Sequence, residues 1–182
     1  MKNQKTFKLK NGITASFAIV AKDNNQKEFF VVATSEDKQI GFCHFIFEGS
    51  DCKISRIAIT DKNYLSKGVG TVMFNAMECL AHKTNKRYIT GLFIPRGYDN
   101  AWEMTSKFYK QHNMKSLDYD FDYVDRDEIY KIVEFKGEEY VLPIIANKKL
   151  FEKIEEYNYQ TNDMFSSNHN KAENKKVPDL QI

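Results

Sequence analysis

The chain has 182 residues, enough for one domain with a sizeable core, and its 42% hydrophobic and 29% charged content is that of an ordinary globular protein. A formal net charge of +2 supplies no strongly basic field, so a nucleic-acid partner is not expected. The opening MKNQKTFKLKNG lacks the apolar core of a secretory signal and no run has the length of a membrane span, which makes the cytoplasm the expected location.

Residues 1–50 read as β throughout. Phe7–Leu9 is a short strand and Ile13–Ala21 a longer one, followed by a turn cluster, Asp23-Asn24-Asn25-Gln26. Phe29–Thr34 and Ile40–Phe47 are the next strands of an antiparallel meander, which Glu48-Gly49-Ser50-Asp51 closes. The apolar run Ile54–Ile59 comes next, then a polar turn and two glycines separated by one residue. From Val69 the period changes to 3.6. Val69, Val72, Met73, Ala76 and Leu80 share one helix face; Thr71, Asn75, Glu78 and His82 share the other. Cys43, Cys52 and Cys79 have neither disulfide-framework nor zinc-ligand spacing, and Cys43 and Cys79 read as buried thiols.

Strand, glycine loop and amphipathic helix together read either as an anion site or as a plain strand-to-helix turn at Lys67-Gly68-Val69-Gly70. Gly68 and Gly70 let a ligand approach the backbone, and the first-turn N–H groups carry partial positive charge, so a phosphate or pyrophosphate fits there. The Walker pattern fails because Thr71-Val72 follows Gly70, and the dinucleotide fingerprint fails because position 73 is Met. The helix ends at Thr84–Arg87, with Asn85 as a left-handed cap. Tyr88–Ile94 is then a strand parallel to Ile54–Ile59, with Gly91 marking a bulge or a close ligand approach. After the loop Pro95–Asp99, Asp99 or Asn100 caps a helix that runs to His112. Leu117–Tyr123 and Ile129–Phe135 read as strands, and Lys136-Gly137-Glu138 as a tight turn into Tyr140–Ile145. Lys148–Tyr157 is a helix with Leu150, Phe151, Ile154 and Tyr157 on one side. Residues 1–159 form one domain, and the polar stretch Gln160–Ile182 is expected to be a disordered tail.

Two segments resemble a known family. Leu65-Ser66-Lys67-Gly68-Val69-Gly70 is similar to the Q/R-x-x-G-x-G/A signature of the GNAT superfamily of acyl-CoA-dependent N-acetyltransferases, with Leu65 where Arg or Gln is usual. Phe108-Tyr109-Lys110-Gln111-His112-Asn113-Met114 is similar to the family's [LF]-Y-x-x-x-G-F helix ending, with Asn113 for Gly. The upstream N-x-x-A is not in place, since positions 102 and 105 are Trp and Thr; Asn100 is the candidate for the missing Asn. The two helices that members usually insert after the first strand, and that shape the acceptor site, are absent.

The resemblance implies an α/β (α+β) fold with a mixed, mostly antiparallel sheet, one parallel crossover and flanking helices. To this the chain adds a C-terminal hairpin and helix. It implies acetyl-CoA as acyl donor and an amine of unknown identity as acceptor. The backbone of Ile57, Ala58 and Ile59 would hold the pantetheine arm, and Leu65, Ser66, Lys67, Gly68, Val69, Gly70 and Thr71 the pyrophosphate. Tyr109 would protonate the leaving thiolate. No residue stands out as general base: His44 lies on an apolar strand face, and Glu48 and Asp51 read as turn carboxylates. His82 and His112, near helix ends, read as electrostatic partners of those ends. The run of aspartates from Asp118 through Asp120, Asp122 and Asp125 to Asp127 lacks an EF-hand's glycine and terminal Glu and reads as a solvated face, or as an acidic wall that attracts a cationic acceptor. The competing reading is a non-catalytic GNAT-fold binding or assembly module, in which the added C-terminal elements cover a sheet edge or join two subunits as a homodimer.

Overall fold

The β-branched and aromatic residues between Lys5 and Ile59 form five strands, each antiparallel to the next: β1 (Lys5–Lys8), β2 (Thr14–Ala21), β3 (Glu28–Ser35), β4 (Lys38–Glu48) and β5 (Asp51–Ile59). The structure, a computed structural model, describes residues 3–24, 26–94, 101–121 and 126–166, with side chains as far as Gln160. Helix α1 (Val69–Lys83) carries the chain back across the sheet, so that β6 (Tyr88–Phe93) pairs parallel with β5. Then come α2 (Ala101–Gln111), a two-residue β7 (Lys115–Ser116), β8 (Asp127–Ile132), β9 (Ile144–Ala146) and α3 (Lys148–Ser166). The strand order is β1-β2-β3-β4-β5-β6-β8-β7. This is the mixed, mostly antiparallel sheet that the resemblance implied, with its parallel crossover from β5 to β6 and a second parallel pairing, of β9 with β2.

Helices α1 and α2 cover one sheet face, where Phe29, Phe45, Met73, Phe74, Phe93 and Tyr109 belong to one core. Helix α3 covers the other face over β2–β4, seating Phe151 and Ile154 on Val20, Phe30, Val32 and Phe42. Each of those two side chains is fully buried, worth roughly 1.5–3 kcal/mol apiece. Cys43, Cys52 and Cys79 are all buried and free.

Several expectations change. Asn75 and Glu78, assigned to a polar face of α1, are buried, because α2 and β8 close over that side. There the Lys131 Nζ of β8 lies 2.6 Å from Glu78 Oε1, and the N–H of Glu134 donates to the same oxygen at 3.0 Å. No strand spans 117–121. Asp120 and Phe121 adopt φ of 50° and 59°, and the Ser116 hydroxyl accepts from the Tyr119 N–H while bonding Asp127, which turns the chain after β7. The C-terminal hairpin is absent too. Gly137, at φ 122°, leads into a single 3₁₀ turn, and Pro143, which has no N–H to donate, precedes a short β9. That strand pairs parallel with Ile19–Ala21 of β2, on the stretch that β1, paired to Thr14–Phe17, leaves free. Helix α3 also runs past Gln160 to Ser166. Residues 167–182 lie outside the described residues, as do Pro95–Asn100, Asp122 and Asp125.

Candidate functional site

Strand β5 carries the feature that opens the site. It runs nine residues, yet only Asp51, Cys52 and Lys53 pair with β6, opposite Tyr88, Ile89 and Thr90. On its other side β5 keeps its partner β4 all the way to Ile59, which lies opposite Gly41. The register slips once, between His44–Arg56 and Phe45–Ile54, so that Ser55 is an extra residue in β5. A bulge bends and twists its strand. Here it falls two residues beyond the last β5–β6 pair, and past it the two strands diverge. Arg56, Ile57, Ala58 and Ile59 are all only half-buried, unlike the interior strands on the other side. Past Lys53 their backbone groups on the β6 side pair with no strand among the described residues, which leaves a wedge between β5 and β6 in which each such group needs a partner. Gly91 stands near the base of this wedge, where a Cβ would come within 3.4 Å of Ile54 Cβ. It pairs regularly with Ile129, so it is a close approach to β5 rather than a bulge.

The glycine loop sits at the wide end. Asp61 accepts from the Asn63 N–H at 2.9 Å and starts a 3₁₀ turn, Lys62–Tyr64. Ser66 at φ 58° and Gly68 at φ 99° then reverse the chain into α1, with Gly68 as the cap. The Lys67 carbonyl accepts from the Lys10 N–H at 3.1 Å, tying the loop to the first hairpin. Val72 donates to Gly68 at 3.1 Å as the first intrahelical bond, so the N–H groups of Val69, Gly70 and Thr71 precede the ladder; no acidic residue lies in this turn. Leu65 and Lys67 are half-buried and Ser66 is exposed.

The two glycines differ in purpose. Nothing lies within 4 Å of a Cβ built on Gly68, whose requirement is its backbone angle. A Cβ on Gly70 would lie 3.0 Å from Phe108 Cε2, so Gly70 is the hole into which α2 packs. That contact, for which the sequence carried no signal beyond the glycine itself, sets α2 against the loop.

Tyr109 follows Phe108 and points into the core, edge-on to Phe93 at 6.4 Å between ring centroids. Phe93 ends β6, on the far side of the wedge from β5. Tyr109 is 5% exposed, and burial pushes its phenol pKa up, with a smaller push from Cys43, the cross-strand partner of Ile57. The phenol therefore stays protonated across the ordinary pH range and can donate a hydrogen bond, while being a weaker acid than a free phenol.

The histidines are elsewhere. His44 Nε2 lies 2.9 Å from Glu28 Oε1, and its ring stacks on Phe30 at 4.5 Å under Phe151 of α3. Burial lowers its pKa against the opposing pull of Glu28. It helps seat α3 and leans toward β3, away from the wedge. His112 is buried and stacked on Phe74 at 4.3 Å. Burial, aided by Lys131 and Lys136, lowers its pKa to about 4, so it is neutral and cannot serve as a cationic partner to its helix end. Glu48 and Asp51 occupy the opposite end of β5 from the loop. Asn100 lies outside the described residues. Among the described residues no group of His, Cys, Asp and Glu is arranged to hold a metal ion, and no helix is long and apolar enough to cross a membrane.

No family model matches this chain, and no curated protein matches it. Solved structures do. An acetyltransferase of the GNAT family from Staphylococcus aureus Mu50 superposes with a TM-score of 0.50 at 15% identity, over 62% of this chain and 72% of that one. The GNAT domain of S. lividans PAT superposes with a TM-score of 0.56 at 9% identity, over 71% of this chain and 96% of that one.

Proposed function

We propose that this chain, which has the GNAT fold, is an N-acetyltransferase that moves an acetyl group from acetyl-CoA to an amine. The observation that carries the reading is the parting of β5 from β6 after Lys53, directly below a glycine turn with free helix-start N–H groups. The pantetheine arm would enter the wedge as an added strand on Ile57, Ala58 and Ile59. The pyrophosphate would rest on the backbone of Ser66–Thr71, where the helix start favours negative charge.

In the reaction the neutral amine nitrogen attacks the thioester carbonyl carbon. The C–N bond forms, the C–S bond breaks, and the nitrogen gives its proton to water. The departing thiolate takes the Tyr109 phenolic proton, which solvent later replaces. Leu65, lacking the charge of Arg, leaves pyrophosphate binding to the backbone. The test is thiol release from acetyl-CoA across a panel of amines. Release that depends on amine supports the reading; coenzyme A binding without turnover of any amine rejects it.

The burial of Tyr109 favours the second reading, a non-catalytic module of the same fold. A module of that kind need not bind coenzyme A, so calorimetry separates the two.

A further inference from the structure

Helix α3 covers only half of its sheet face. Over β2–β4 that face is sealed by Phe151 and Ile154, but among the described residues no helix covers it across β6 and β8. In these strands Ile89, Phe93, Ile129 and Lys131 turn toward α1 and α2. The alternate residues turn the other way: Tyr88 opposite Ile132, Thr90 opposite Tyr130, and Leu92 opposite Glu128. An antiparallel pair with one solvated face ordinarily carries polar residues there. This one carries Tyr88 at 43% exposure, Leu92 and Tyr130 at 37%, and Ile132 at 68%. Lysines flank the apolar strip on both sides. Lys53 of β5 pairs with Thr90 in register, and Lys115 of β7 with Tyr130, so both project from the same face. Lys53 lies 3.7 Å from Glu48 in an exposed pair, of the weak kind that a partner's carboxylate can replace, and Glu128 is the one carboxylate among the six strip residues of β6 and β8.

We propose that this bare half-face docks an amphipathic helix of a partner protein, whose apolar stripe is flanked by acidic residues. Size and charge both select that occupant. Six residues of strand span roughly 20 Å, and β5 to β7 roughly 14 Å. That footprint of about 300 Å² is well short of the roughly 800 Å² per partner of a stable dimer interface. It matches a helix about 10 Å wide and about 13 residues long. The fold already uses this packing once, with α3 on the neighbouring half. Lys53 and Lys115, on opposite borders, would face acidic residues on either side of the apolar stripe. The surface is independent of the acetyl-transfer reading.

The probe is a pair of fluorescent 16-residue synthetic helices with Leu at helical spacing, one flanked by Glu and the other by Lys, titrated with the full chain by anisotropy. The Glu-flanked helix should bind at least tenfold tighter. Ile132→Asp should abolish that binding, and Lys53→Glu with Lys115→Glu should invert the preference. Ile132 is largely exposed, so unchanged thermal melting of Ile132→Asp verifies its fold. Equal binding of both helices, or binding that survives Ile132→Asp, overturns the proposal. So does a dimer in sedimentation that Ile132→Asp dissociates, which would make a second copy the occupant. Faster tryptic cleavage at Lys171, Lys175 and Lys176 in Ile132→Asp than in the parent would overturn it in favour of the chain's own C-terminal segment.

Discussion

At the scale of single residues the assignment of the general acid stands or falls with Tyr109. Tyr109→Phe keeps the ring against Phe93 and removes only the proton donor. General acid catalysis contributes about 10²–10⁴-fold, so kcat should fall by that order while KM and coenzyme A affinity hold. Steady-state kinetics alongside calorimetry read both; full activity removes Tyr109 from the mechanism. Gly70 gives a second residue-level prediction. Gly70→Ala should destabilise by about 1–3 kcal/mol through overpacking against Phe108, and Phe108→Leu in the same chain should recover most of it, as denaturant melts of the double-mutant cycle would reveal. A charge placed at Gly70 would therefore report packing as much as phosphate binding. His112 supplies a pH prediction. Its pKa falls from 6.5 to about 4 on folding, so between those values the unfolded chain binds the extra proton and stability falls as the pH is lowered. At about 1.4 kcal/mol per pKa unit the loss is on the order of 3 kcal/mol. His112→Phe, which keeps the ring stack, should flatten the melting temperature between pH 6.5 and 4; an unchanged slope assigns it to other groups.

At the scale of elements, the bulge in β5 and the ion pair under α1 do the positioning. Deleting Ser55 removes the extra residue and leaves Arg56, Ile57 and Ile59 on their present faces, because Ser55 and Arg56 together stand between Ile54 and Ile57 in the register. The variant should fold, yet with β5 drawn back toward β6 it should bind coenzyme A at least tenfold more weakly. Full affinity in calorimetry would show that the bulge does not open the wedge. Lys131→Met removes the nearer of two lysines on the buried Glu78 carboxylate and leaves Lys136 at 3.6 Å, so it should cost less than the about 3–5 kcal/mol of a fully stranded charge, and Glu78→Leu added to it should restore most of the loss in denaturant melts. Neither feature was legible in the sequence. Ser55 is an ordinary residue in an apolar run, and a bulge is a relation between two strands. Glu78 sat correctly opposite Met73 and Leu80 by periodicity, but periodicity does not tell that β8 and the segment after it later pack on the polar side. The glycine turn, α1 and the strands through Phe93 were legible because each is a local pattern of period or punctuation. β9 was not: three residues after a proline pair with a strand more than a hundred residues earlier, and no local signal encodes that.

For the whole molecule, the sheet shows how a GNAT fold closes without the helices that the family usually inserts after the first strand. Between β2 and β3 this chain has only a short turn, and α3, arriving from the C-terminus, takes the exposed face of β2–β4. The helix begins where the Asn147 N–H donates to Ala21 at 3.2 Å, and by Asn158 it has reached Gln39 of β4, bonded at 3.0 Å. At Asn158 it therefore stands beside the same end of the sheet as the glycine loop. The C-terminal elements read from sequence as an appendage are part of the sheet's closure. What the assembled molecule should do first is bind coenzyme A between β5 and β6. The most direct measurement is calorimetry of coenzyme A with the parent chain and with Ser66→Asp, an exposed position at φ 58° that aspartate tolerates. The account predicts one site per chain in the parent, an affinity at least tenfold weaker in Ser66→Asp, and unchanged thermal melting of the variant. No binding by the parent, or equal affinity in the two proteins, would contradict it.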